Sequence, residues 1–292
     1  MIVMAEHAGF CFGVRRAVDG ITDALRRNSE VWTIGLPIHN PQEVARLEAL
    51  GLRIASSESE IPPGAVVIIR AHGEALGVLA SLKARGVTVE DMTCPFVKKA
   101  QDKAAELSRE GYYVVLLGDK NHPEIKGILG HVNDSAGAEV VADENEALNV
   151  KHHTKIALVS QTTQREERLE RVAGILTGKC TELHVCNTIC KATSQRQEAA
   201  RKLVRENSLE GVVLIGGKSS ANTGKLRDIL ESEGVNVLWV EDERDLEAES
   251  GWLEGKNMIG IAAGASTPEW LIDKVKNIIA AKQEVPRGLS NS

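Results

Sequence analysis

The chain has 292 residues, 42% of them hydrophobic and 26% charged, enough for two or three lobes with a substantial buried core. Its formal net charge of −6 and lack of a basic stripe argue against nucleic-acid or acidic-membrane binding. No run reaches the ~18 apolar residues of a membrane span, and the N-terminus MIVMAEHAG lacks a basic n-region, so a cytoplasmic setting is expected.

Short apolar runs alternate with helical periodicity along the chain. A strand near Ile2–Ala5 runs into Cys11, followed by a helix with Val14, Ala17, Val18, Ile21 and Leu25 at helical spacing. Val31–Ile34 reads as a strand ending in GLPIHN, and Pro41–Leu50 as a helix opened by proline. Ala65–Ile69 reads as a buried strand ending in RAHG, with a helix over Leu76–Arg85. Val87–Glu90 leads to Cys94 and the helix Phe96–Arg109, and Tyr113–Leu117 ends in GDKNHPE. Ile156–Ser160 ends in QTTQ before a helix over Glu166–Leu176, and Glu182–Val185 precedes Cys190 and a helix to Arg205. Val212–Ile215 ends in GGKSSANTG, and Met258–Ala262 in GASTPEW, whose Pro268 opens the last helix.

A repeat underlies this order. Cys11 opens CFGVRRA, Cys94 opens CPFVKKA and Cys190 opens the looser CKATSQRQEA. Gly35 and His39 follow the first cysteine at the same spacing as Gly118 and His122 follow the second, and Gly216 and Ser220 lie similarly after the third. The expected fold is α/β: three similar lobes with small, mostly parallel sheets around a pseudo-threefold axis and a central cavity. The lobes are assigned to 1–93, 94–189 and 190–282, with strand 1–10 a candidate for the third lobe's sheet and 283–292 a mobile tail. Two strand-end loops per lobe should share one edge, where α/β sheets bind ligands.

Five cysteines are present. Those at 11, 94 and 190 share the repeat position and read as metal ligands; Cys180 and Cys186 fall outside it and read as small buried residues. Three dispersed thiolates lack the short pairs of structural zinc and suit an iron–sulfur cluster with one open iron. The loops offer His39, His72, His122, Thr162, Thr163, Ser220, Asn222 and Ser266, with Lys218 the obvious cation, and suit a phosphorylated ligand, even a diphosphate. No Walker loop or complete Rossmann fingerprint is present. Glu124, in the first turn of a helix, reads equally as a proton donor or as an acid favoured by the helix dipole.

AEHAGFCFGVRRAV, IHNPQEV, RAHG, DMTCP, NHPE, SQTT, NTIC, GGKSSANT and AGASTPEW, in that order from Glu6 to Ile279, resemble the 4-hydroxy-3-methylbut-2-enyl diphosphate reductases, the LytB/IspH family. The resemblance implies a three-lobed α/β fold around a 4Fe-4S cluster held by Cys11, Cys94 and Cys190. It implies a diphosphate held at His39, His72, His122, Ser220, Asn222 and Ser266, and proton delivery by Glu124 and Thr162. It also implies reduced ferredoxin or flavodoxin as electron donor, with isopentenyl and dimethylallyl diphosphate as products. Ala221, Ala71, Lys191 and EALGV at 74–78 depart from the family pattern and bear on affinity rather than reaction type. The alternatives are a quinolinate-synthase-like dehydratase, zinc-dependent phosphosugar chemistry and a non-enzymatic iron–sulfur redox sensor.

Overall fold

A computed structural model describes residues 1–28 and 30–284. In chain order these form β1 (Ile2–Met4), α1 (Phe12–Arg27), β2 (Val31–Ile34), α2 (Pro41–Ala49), β3 (Leu52–Ala55), β4 (Val66–Ile69), α3 (Leu76–Ala84) and β5 (Thr88–Asp91). Then come α4 (Pro95–Arg109), β6 (Tyr113–Leu117), α5 (Pro123–Leu129), β7 (Ala138–Val141), α6 (Glu144–Leu148), β8 (His153–Ser160), α7 (Glu166–Thr177) and β9 (Cys180–Cys186). The remainder is α8 (Lys191–Arg205), β10 (Gly211–Ile215), α9 (Ala221–Ser232), β11 (Val237–Val240), α10 (Glu243–Ala248), β12 (Ile259–Ala263) and α11 (Glu269–Glu284). The tail expected from 283 is thus helical at its first two residues, and 285–292 lie outside the described residues.

Internal contacts divide the chain into two units. One gathers Met1–Cys11, Ile38–Arg46 and the chain from Gln195; the other holds Phe12–Pro37 and Leu47–Ser194. The second unit carries two four-stranded sheets, β3-β2-β4-β5 and β7-β6-β8-β9, and the first carries β1-β12-β10-β11. Every strand pair in the three sheets is parallel. Read from the β11 end, the last sheet has the same order as the other two. Its fourth strand is β1 from the N-terminus, with Ile2 opposite Ile259 and Met4 opposite Ile261.

Parallel strands covered on both faces should be apolar throughout. β10 and β12 are buried at every residue. In the second sheet of the larger unit, alternate residues serve opposite faces, as the two-residue strand period requires. Val114, Leu116, Ala157 and Val159 pack with Ala100, Ala104 and Ile125, while Val115, Leu117, Ile156 and Leu158 pack with Ala147, Leu169 and Val172. With only 3% aromatic residues, these layers are filled by aliphatic side chains. Each such side chain, once fully buried, contributes about 1.5–3 kcal/mol. α1 turns Ala17, Val18, Ile21 and Ala24 inward, matching its apolar spacing.

β3, β7 and β11 were not legible as strands in the sequence. All three have the same place at a sheet edge, with four residues and one neighbour each. Unlike the opposite edge strands β1, β5 and β9, none of them leads into a cysteine of the repeat, so their short apolar stretches had nothing to mark them.

Candidate functional site

Each cysteine of the repeat leaves the fourth strand of a sheet, and its backbone N–H is spent in the same way each time. Cys94 donates to the carbonyl of Ala71 at 3.0 Å, and Cys190 to that of Thr162 at 3.0 Å. In the other unit Cys11 donates to the carbonyl of Ala265 at 3.1 Å. The accepting residue always lies in the loop after the adjacent strand: RAHG after β4, QTT after β8 and GAS after β12. A thiol is thereby tied to a loop bearing His72, Thr162–Thr163 or Ser266. The sequence repeat has become a repeated hydrogen bond.

The larger unit holds the acid. Glu124 is 2% exposed and sits in the first turn of α5. Its Oε1 accepts the Thr162 N–H at 2.6 Å, and its Oε2 accepts the Thr162 hydroxyl at 2.9 Å. The buried carboxylate is therefore held by two donors at a helix N-terminus. His122 caps the same helix, its Nδ1 accepting the Glu124 N–H at 3.2 Å. That assignment makes Nε2 the proton-bearing nitrogen of the neutral ring. The His72 ring lies edge-on to it, with centroids 5.2 Å apart. Thr188 anchors the approach to Cys190, its hydroxyl donating to the Ser160 carbonyl at 2.5 Å and accepting the Ser160 N–H at 3.0 Å. The Cys190 sulfur lies 3.0 Å from the Thr193 hydroxyl.

In the smaller unit, Ser220 caps α9 by accepting the Thr223 N–H. Asn222 follows in the first turn, 8% exposed. The His39 carbonyl lies over Gly217, 2.5 Å from where a Cβ would stand, so close packing requires glycine there. Ser266 is half-buried beside Thr267, whose hydroxyl donates to the Ile215 carbonyl at 3.0 Å. Lys218 is engaged outside these contacts: its ammonium pairs with Asp245 at 3.3 Å and its N–H meets Glu241.

The residues suit an anion. Buried amide nitrogens of Asn222, Gln161, Gln101 and Asn40 find no hydrogen-bond partner within the described protein. Buried donors are normally satisfied, so unspent ones mark where a ligand's acceptors belong. Gln101 is missed by sequence reading: it interrupts the buried stripe Val97, Ala100, Ala104 and Leu107 of α4 and lies against Gly73. A polar residue at a core position was its one signal. The thiols fit an iron–sulfur group as well. The three cysteines of the repeat are half-buried rather than packed away. Burial pushes the Cys180 and Cys186 thiols up, which disfavours the thiolate that a metal needs. Cys186 belongs to an apolar core cluster.

Three parallel α/β sheets, each joining a thiol to a strand-end loop of neutral donors, define a ligand-binding α/β protein of the enzyme type. The LytB protein family pattern matches residues 2–280. The chain is 43% identical over 292 residues to the 4-hydroxy-3-methylbut-2-enyl diphosphate reductase of Aquifex aeolicus (strain VF5), covering 98% of this chain and 97% of that one. It is 43% identical over 276 residues to the enzyme of the same name from Syntrophotalea carbinolica, covering 94% and 96%. A solved structure of (E)-4-hydroxy-3-methyl-but-2-enyl diphosphate reductase, the terminal enzyme of the non-mevalonate pathway, aligns with a TM-score of 0.71 at 43% identity over 96% of this chain and 99% of that one. The Plasmodium falciparum E-1-hydroxy-2-methyl-but-2-enyl-4-diphosphate reductase aligns with a TM-score of 0.84 at 25% identity over 95% and 87%. The chain belongs to the LytB protein family, as its motifs led one to expect. The quinolinate-synthase, zinc and sensor alternatives give way to that membership.

Proposed function

We propose that the protein reduces 4-hydroxy-3-methylbut-2-enyl diphosphate to isopentenyl diphosphate and dimethylallyl diphosphate, the last step of the methylerythritol phosphate route to isoprenoids. Two electrons and two protons enter, one C–O bond breaks, one C–H bond forms, and the hydroxyl leaves as water. A 4Fe-4S cluster on Cys11, Cys94 and Cys190, with one iron left open, supplies the electrons and a Lewis acid for the hydroxyl when bound.

The protein's own part is binding and proton delivery. Histidines 39, 72 and 122, with Ser220, Asn222 and Ser266, are assigned to the diphosphate. Ser220 spends an acceptor lone pair on a helix cap, leaving its hydroxyl hydrogen for phosphate oxygen. Glu124 supplies the proton. While it is anionic, the Thr162 hydroxyl donates to it; once protonated, the same contact runs in reverse and Thr162 passes a proton onward. This buried, doubly held Glu124–Thr162 pair carries the reading. A ferredoxin or flavodoxin supplies electrons from outside. The cytoplasm is the matching compartment, since it sustains reduced carriers and keeps cysteines reduced. Among the described residues no helix is long and apolar enough to cross a membrane.

Anaerobic reconstitution with iron and sulfide, followed by reduced methyl viologen and the substrate, tests the reading. Substrate-dependent viologen oxidation with both products is expected. No turnover in protein carrying a full iron complement would overturn it.

A further inference from the structure

The first turns of α1 and α4 carry no acid, like those of α3, α8 and α9, whereas α2, α5, α7 and α11 place glutamate there, as the helix dipole favours. In the opening one and a half turns stand Arg15 and Arg16 on α1, and Lys98 and Lys99 on α4. These two helix ends adjoin. A Cβ on Gly13 would come within 2.6 Å of the Cys94 sulfur. Arg16 fixes the junction by donating to the carbonyls of Thr93 at 2.7 Å and Asp91 at 3.2 Å. On the same ends Phe12 is 63% exposed and Phe96 37% exposed. Single exposed apolar side chains are ordinary, but here two exposed rings stand on adjoining helix ends beside Cys94.

The charge of this face is positive on a chain of net charge −6. Arg15 and Lys99 are exposed, and Lys98 pairs with Asp102. The other acids on these ends are Asp19, a turn further along α1, and Asp91, one of whose carboxylate oxygens accepts the Thr93 N–H and hydroxyl. An apolar centre with a cationic margin is the make-up of a transient interface steered by charge.

The geometry points to this face as the docking surface of a small acidic one-electron carrier protein. The assignment rests on the reductase reading, whose chemistry needs two electrons from outside. Each docking event transfers one electron and leaves the carrier oxidised by one; two events balance the C–O cleavage. Phe96 lies two residues from Cys94, so a carrier seated here is next to a ligand sulfur.

Steady-state kinetics of the reconstituted enzyme with two donors test the assignment: reduced methyl viologen, which needs no docking surface, and a reduced acidic [2Fe–2S] ferredoxin. Arg15→Glu combined with Lys99→Glu should raise KM for ferredoxin about tenfold or more and flatten its salt dependence. Viologen-driven turnover and iron content should stay at wild-type values. Arg15→Lys, which keeps the charge, should keep the wild-type KM. Reversal variants with wild-type ferredoxin KM and salt dependence would overturn the docking face while leaving the reductase reading intact. A wild-type enzyme inactive even with viologen would sink the reductase reading and the docking face with it.

Discussion

Thr162 meets Glu124 twice, through its N–H and through its hydroxyl, and only the hydroxyl can relay a proton. Thr162→Val keeps the shape and the backbone contact but removes the relay. It should lower kcat about a hundredfold with little change in iron content, while Thr162→Ser should retain most activity; single-turnover kinetics distinguish the two. The cysteines separate by environment in a comparable way. Burial raises the Cys186 thiol against a smaller pull from Lys103, and burial likewise raises Cys180. A raised thiol pKa leaves less thiolate near neutral pH, so alkylation of both should be slow at pH 7 and accelerate only above the ordinary thiol range of about 8.5. Mass mapping of iodoacetamide adducts on iron-free protein should show Cys11, Cys94 and Cys190 modified first. Early labelling of Cys186 would contradict its place in the core.

At the scale of elements, helix ends set the site. α5 is capped by His122 and α9 by Ser220, so residues assigned to ligand binding also fix where their helices begin. α1 ends against Cys94 with no room for a side chain at Gly13. Gly13→Ala should push the Cys94 sulfur from its place and lower iron per chain after reconstitution, with the far-UV circular dichroism of the wild type. Full iron loading of that variant would show the sulfur free to shift. The central strands were legible because β6, β10, β12 and residues 156–159 of β8 are apolar runs, a pattern that parallel strands covered on both faces keep. β3, β7 and β11 were not: they are short edge strands, and, unlike the opposite edges β1, β5 and β9, none of them leads into a cysteine of the repeat that would mark it. The cysteines and histidines were legible through their repeat spacing. Gln101 was not, because a lone polar residue in a helix's buried stripe reads as readily as an ordinary core residue.

For the whole molecule, one rule recurs in all three sheets: the cysteine after the fourth strand hydrogen-bonds the loop after its neighbour. Spacing announced that the three cysteines were equivalent; only the structure gives the bond that makes them so. Each sheet carries apolar clusters on both faces, independent of any metal. The fold should therefore survive iron removal, unlike small domains whose folding is metal binding. Chelator-treated protein should keep its far-UV circular dichroism and lose some thermal stability; loss of the helical signal on iron removal would contradict this.

The most direct test of the account is Glu124→Gln, assayed for turnover and iron in one preparation. The amide keeps the side chain's size but cannot deliver a proton. With wild-type iron content, substrate-dependent viologen oxidation should fall at least about a hundredfold. Turnover near the wild-type rate in iron-replete Glu124→Gln protein would contradict the proton-delivery role on which the account rests.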